Sequence, residues 1–140
     1  MSPTHADGMP RDGFSGFAFD PGWSNVRPGI VRLEEKPGGF LVIYVVATLT
    51  IKPETRAEFI AAAIACIKET RKEPGNIAYD LHESVTDPTR MVFVEQWENA
   101  EALVPHRGQE HMKTFGRVAV KCFTAPPKIE VITPEKVETR

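Results

Sequence analysis

From Leu41 to Ile51 the chain reads Leu-Val-Ile-Tyr-Val-Val-Ala-Thr-Leu-Thr-Ile, apolar at odd and even positions alike and rich in β-branched side chains. Such a run predicts a strand buried on both faces. Pro53 breaks it, and Thr55-Arg-Ala-Glu58 has the spacing of a capping box opening a helix. Phe59, Ile60, Ala63, Ile64 and Ile67 then recur at helical spacing as one apolar stripe, until Pro74-Gly75 ends the helix. Ile77, Tyr79 and Leu81 alternate with polar or small residues, as a strand does, and Thr86-Asp-Pro-Thr89 makes a turn. Met91, Phe93, Glu95 and Trp97 fall on one face of the next strand, with Val92, Val94 and Gln96 on the other. Asn99 is a suitable N-cap for a helix that Pro105 and Gly108 interrupt. A second helical piece resumes at Gln109 with Met112, Phe115, Gly116, Ala119 and Phe123 facing inward, and Pro126-Pro127 stops it. Ile129, Val131 and Thr133 give a last short strand.

The order is strand, helix, strand, strand, helix, strand. It predicts an α+β fold of the ferredoxin-like βαββαβ kind, an antiparallel sheet with its helices on one face. Helices on one face leave the other uncovered, yet the first and third strands are apolar on both. The uncovered face is expected to pack on a second copy of the sheet, giving a homodimer.

Composition divides the chain. Residues 1–39 hold five of the 12 prolines and seven of the 10 glycines, too little regular structure for a core of their own. They also carry Phe14, Phe17, Phe19 and Trp23, unusual for a disordered tail. This N-terminal extension reads as an arm that docks around its aromatics and frays before them, or else as a mostly disordered segment. Residues 40–134 form the folded domain and 135–140 a charged tail. A formal net charge of −2 leaves no basic surplus for nucleic acid or an anionic membrane. No apolar run reaches the length of a membrane span, no export signal is evident, and Cys66 and Cys122 form no close pair. The expected setting is therefore the cytoplasm, with both thiols reduced.

The stretch EPGNIAYDLHESVTDPTRMVFVEQWENAEAL, followed by HRGQEHMKTF, resembles the antibiotic biosynthesis monooxygenase family, including the small quinol monooxygenases. The matching pieces are the Glu73-Pro-Gly75 turn with the Tyr79 strand and the Asp87-Pro-Thr-Arg90 turn. They continue with Glu95-x-Trp97, Glu101-Ala-Leu103, and His106-x4-His111 with Phe115. The resemblance runs from about Val42 to Thr133 and implies a dimeric α+β barrel. It also implies oxidation of a quinol-like or polyphenolic aromatic by O2 with no metal, flavin or haem cofactor. Related branches isomerise a small phosphorylated ketone or cleave haem, and a non-catalytic dimeric binding domain is a further alternative. The isomerase would need a phosphate clamp, for which Arg90, Arg107, Lys113 and Lys128 are candidates. The haem-cleaving branch uses an Asn on the first strand, which this chain lacks.

Oxygenation without a cofactor requires the substrate to be the electron donor, so a base must remove its phenolic proton in a mostly apolar pocket. Glu95, flanked by Phe93 and Trp97, is a carboxylate on an apolar face. Burial should raise its pKa unless a cation or several donors compensate; a structural ion pair is its plainer role. His111, at the start of the second helical piece, is the candidate partner, expected within hydrogen-bonding reach of Glu95 directly or through one water. The plainer role for His111 is a bond to nearby backbone. Trp97, His106, Phe115, Tyr79, Phe93 and Tyr44 are candidate substrate-binding residues, with ordinary core packing as the alternative for each aromatic. No metal is expected: the spacing of His106 and His111 is not a same-face helical spacing, and no third ligand adjoins them in sequence.

Overall fold

The computed structural model describes residues 42–140; the proposed arm, with Phe14, Phe17, Phe19 and Trp23, lies outside the described residues. Seven elements follow: β1 (Ile43–Thr50), α1 (Arg56–Thr70), β2 (Asn76–Glu83), β3 (Arg90–Trp97), α2 (Ala100–His106), α3 (Glu110–Cys122) and β4 (Lys128–Ile132). The four strands form one antiparallel sheet in the order β2-β3-β1-β4. Both neighbours of β1 come from later in the sequence, which is the split arrangement expected from the element order.

Strand alternation sorts the side chains. Ile43, Val45, Ala47 and Leu49 of β1 and Met91, Phe93, Glu95 and Trp97 of β3 are buried on the helix-covered face. They meet Phe59, Ala63, Cys66 and Ile67 of α1, and Met112, Phe115 and Ala119 of α3. Tyr44, Val46, Thr48, Val92, Val94 and Gln96 point to the opposite face and are half-buried within this single chain. Tyr44 is therefore separated by the sheet from the other aromatic candidates.

Three local expectations are corrected. The capping box does not form: Pro53–Thr55 is a short 3-10 turn, and the Thr55 hydroxyl donates to the Lys52 carbonyl at 2.8 Å instead of capping α1. Pro53 sets this turn just ahead of the expected cap, so Thr55 lacks the extended backbone that capping needs. The buried stripe of α1 is Phe59, Ala63, Cys66, Ile67 and Thr70, and Ile64 is 62% exposed. The helix is rotated so that its small sulfur and hydroxyl side chains, rather than Ile64, face the sheet. In β2 a bulge between Asn76 and Ala78 breaks the alternation, leaving Ile77 exposed while Tyr79 faces the core.

Elsewhere the local chemistry acts as expected. Asn99 accepts from the Ala102 amide at 2.8 Å and starts α2. Gly75 has φ +82°, a region that disfavours any other residue. Its carbonyl accepts from the Glu98 amide at 2.9 Å, and a methyl group placed on it would come within 2.5 Å of the Ala102 Cβ. The turn after α1 is thereby pressed against the β3–α2 junction, which carries Glu73 toward α2.

Candidate functional site

Three segments meet beneath the helices. Glu73 follows α1 in a turn held by the Glu73 amide donating to the Thr70 carbonyl at 2.9 Å. His106 is the last residue of α2. A turn then redirects the chain, with the amides of Gly108 and Gln109 donating to the carbonyls of Pro105 and His106 at 3.1 and 3.2 Å. His111 is the second residue of α3. Because two helices rather than one carry the histidines, their separation in sequence no longer decides which way they point.

One oxygen of Glu73 serves both. Its Oε1 lies 2.9 Å from His106 Nδ1 and 2.7 Å from His111 Nε2, so the carboxylate accepts from two imidazole N–H groups. Relative exposure falls across the trio, from 18% for the His111 side chain to 7% for Glu73 and 0% for His106. Burial pushes the His106 imidazole below its usual range, with Glu73 opposing, which favours the neutral ring. The sequence argument that no third ligand adjoins the histidines is thus corrected: Glu73, distant in sequence, puts a carboxylate oxygen among their nitrogens, and the donor atoms of all three lie within 4.8 Å of one another.

Glu95 sits deeper, on β3 beside Tyr79 of β2 and Val45 of β1 in the sheet register. Trp97 Nε1 donates to its Oε2 at 2.8 Å, within a single strand face. Burial raises its carboxyl from an ordinary 4.5 to about 8; the Trp97 bond opposes this and the charge of Glu73 adds to it. Of the expected contact between Glu95 and His111, direct or through one water, the direct form is absent. His111 turns to Glu73 and Glu95 to Trp97. Both carboxylates nonetheless disfavour negative charge on Cys66 and Tyr79.

The aromatic candidates divide in the same way. The His106 ring packs 4.8 Å from Trp97 and 5.5 Å from Tyr79, centroid to centroid. Tyr79 packs at a tilt 5.3 Å from Phe93, which meets Phe115 edge-on at 5.7 Å. Trp97, Tyr79, Phe93, Phe115 and His106 are thus one continuous cluster, and Tyr44 is not part of it. Sulfur fills the gap toward α1: the Met112 Sδ accepts from Cys66 Sγ at 3.5 Å and from the Tyr79 hydroxyl at 3.9 Å. Burial first, then the neighbouring carboxylates, raises the Cys66 thiol to about 11 and the Tyr79 hydroxyl well above its usual range. Neither is a nucleophile at neutral pH.

Glu73 is the member of the cluster that sequence reasoning did not single out. Its Glu-Pro-Gly turn is one of the motif pieces, but in sequence it signals only a helix stop. The available signal was an acid placed immediately before a Pro-Gly pair whose glycine must pack tightly.

This arrangement defines a ferredoxin-like α+β domain with a carboxylate–imidazole cluster against an aromatic core. The sequence profile of the family described as antibiotic biosynthesis monooxygenase matches residues 42–118. A Bacillus subtilis (strain 168) protein named "Putative monooxygenase YcnE" is 31% identical over 97 residues, 69% of this chain and 100% of that protein. The solved structure of Rv0793 from Mycobacterium tuberculosis superposes with a TM-score of 0.65 at 28% identity, covering 70% of this chain and 99% of that one. A conserved protein from Methanosarcina mazei Go1 gives 0.66 at 28% identity, covering 69% and 95%. The chain belongs to the antibiotic biosynthesis monooxygenase family. Among the described residues no helix is long and apolar enough to cross a membrane.

Proposed function

We propose that the chain is a cofactor-independent monooxygenase that oxidises a quinol-like or polyphenolic substrate with O2. The observation that carries this reading is the 2.7 Å bond between Glu73 and His111. A carboxylate that accepts from Nε2–H fixes the imidazole tautomer and leaves the Nδ1 lone pair to take a proton. His111 is the most exposed member of the trio, so it is the one a substrate hydroxyl can reach. Glu73 thus takes the orienting role that the sequence suggested for Glu95. Glu95, its carboxyl at about 8, serves as a second acid or base whose proton exchanges near working pH.

Deprotonation turns the quinol into an electron-rich anion that donates to O2. One oxygen atom forms a bond to the ring carbon and the other leaves as water, giving a hydroxyquinone; the substrate supplies every electron. Trp97, Tyr79, Phe93 and Phe115 are buried in the core behind the histidines and keep water out of that side of the site.

The half-buried face that carries Val46, Val92 and Val94 supports a homodimer formed sheet to sheet. The isomerase alternative has less support. Of its four candidate cations, Arg90 pairs with Thr50 and Lys128 with Thr48, toward the end of the sheet away from the Ile43–Trp97 pair, which leaves only Arg107 and Lys113 near the histidines in sequence.

The test is aerobic incubation with a reduced naphthoquinol, followed by O2 consumption and product mass. Uptake of one O2 per quinol is expected, with His111→Ala and Glu73→Gln each lowering kcat by about 10²–10⁴, the usual contribution of a positioned base. No uptake above the buffer rate across a panel of quinols overturns the reading.

A further inference from the structure

We propose that Glu73, His106 and His111 form a binding site for a divalent first-row transition-metal ion of the zinc type. The inference goes beyond the oxygenase reading and does not rest on it.

The donor set comes first. Two imidazole nitrogens and one carboxylate oxygen are the ligands that Zn²⁺, Co²⁺ and Fe²⁺ take, and three protein ligands leave a position for water or another molecule. Magnesium and calcium, which prefer sets made wholly of oxygen, do not suit two imidazoles.

The geometry comes second. Donors about 2.1 Å from a common ion stand roughly 3–3.5 Å apart for octahedral or tetrahedral angles. Glu73 Oε1 is 2.9 Å from one histidine nitrogen and 2.7 Å from the other, and no two of the three donor atoms are more than 4.8 Å apart. Small movements of the carboxylate and of His111 bring all three around one point. The three side chains come from three separate segments, each pinned by its own backbone bonds: the Thr70 turn, the Pro105–Gln109 turn and the first turn of α3.

The electrostatic setting comes third. Glu73 is nearly buried, and among the described residues no lysine or arginine makes an ion pair with it. Two N–H groups of the histidines are what meet its charge. A cation there offsets the charge of the nearly buried Glu73 carboxylate. The carboxylate therefore has two alternative occupants, a pair of imidazole protons or one divalent ion, and the partly exposed edge of His111 is the way in.

The experiment uses the full chain, dialysed against a chelator and then freed of it. Co²⁺ is titrated in while the visible ligand-field bands are followed. Zn²⁺ affinity is then read by competition with a chromophoric chelator. One Co²⁺ per chain with visible bands is expected, displaced by Zn²⁺. Glu73→Gln and His111→Ala should each weaken Zn²⁺ binding by at least about tenfold, the smallest loss that even a change in an outer partner of a ligand brings. Circular dichroism confirms that each variant is folded, and His111 and Glu73 are chosen because the wholly buried His106 is the position where a substitution most endangers folding. Two results overturn the proposal: no binding at micromolar metal, or binding that survives unchanged in both variants. The second would put the ion elsewhere, such as at His5 or His82. Because metal alone is the probe, either outcome leaves the oxygenase reading to its own assay.

Discussion

Replacing Glu95 by glutamine gives the most direct access to the buried acid. The amide keeps the shape and still offers an oxygen to the Trp97 indole, which donates to Glu95 at 2.8 Å. In the folded protein, burial raises the Glu95 carboxyl from 4.5 to about 8. Between those values the unfolded chain has lost the proton and the folded chain still holds it. The native state then binds more protons, so its stability falls as pH rises, by at most about 1.4 kcal/mol per pH unit for one proton. Over the whole interval the loss is on the order of 5 kcal/mol, as much as the entire stability of some domains; local opening and water entry would reduce it. The Glu95→Gln variant carries no charge at this position and shows no such slope. Its cost is the buried amide N–H₂, about 1–3 kcal/mol at every pH. The stability curves should therefore cross: the variant is the weaker protein near pH 5 and the stronger one above pH 8. His106, whose pKa burial lowers, costs stability in both proteins as pH falls below its usual 6.5, so it cancels in the difference. The assay is urea unfolding of both proteins from pH 4.5 to 9, at one protein concentration and with EDTA present. A difference that stays flat across that range would mean that Glu95 is ionised in the native state, and the account of the buried acid would fail.

Two further predictions concern the frame around the site. Gly75→Ala combines a backbone at φ +82° with a methyl 2.5 Å from the Ala102 Cβ, and should cost about 2–4 kcal/mol in urea unfolding; adding Ala102→Gly should restore the steric part, and no loss in the single variant would contradict the close packing described. Val94 sits opposite Val46 on the uncovered sheet face, so Val94→Lys should convert a sedimenting dimer of 15.6 kDa chains into folded monomers, whereas an unchanged mass would place any dimer contact elsewhere.

The strands were legible because their signals are redundant. Met91 to Trp97 is a short apolar and β-branched run after a turn, and the β1 run is too apolar and β-branched to be anything else. Split β-α-β order then followed from element order alone. Helix orientation was less legible. Ile64 looks like a core residue by side chain and spacing, yet Cys66 and Thr70 take the sheet-facing side of α1. Period alone fixes a stripe only to within one residue's rotation when apolar residues flank it on both sides, and α1, with Ala at five positions, offers almost continuous apolar surface. The capping box failed for a related reason. The motif is defined by side chains, but its formation depends on the backbone entering from an extended residue, and Pro53 sets up a 3-10 turn instead.

The site was legible by residue type and not by partnership. Glu95 and His111 stand out in the sequence because an acid on an apolar strand face and a histidine at a helix start are each locally unusual. Which acid meets which histidine is a property of the tertiary fold. Sequence spacing argued against His106 and His111 sharing a metal ion by treating the two as residues of one helix. Pro105 and Gly108, both visible in the sequence, break that helix and bring the two rings to a centroid distance of 6.3 Å. Glu73 enters through a different constraint. Its position is set by Gly75, whose lack of a side chain lets the turn touch Ala102 and whose carbonyl takes the Glu98 amide. A glycine whose replacement is costly thus acts on chemistry two positions upstream: it lets the carboxylate reach His106 and His111. The same contact couples the site to the end of β3, so Trp97 and Glu95 on the strand and Glu73 on the turn are held by one junction. A change that loosens this junction should disturb the histidine pair and the buried acid together, whereas a change at Glu95 alone should leave Glu73 between its two histidines.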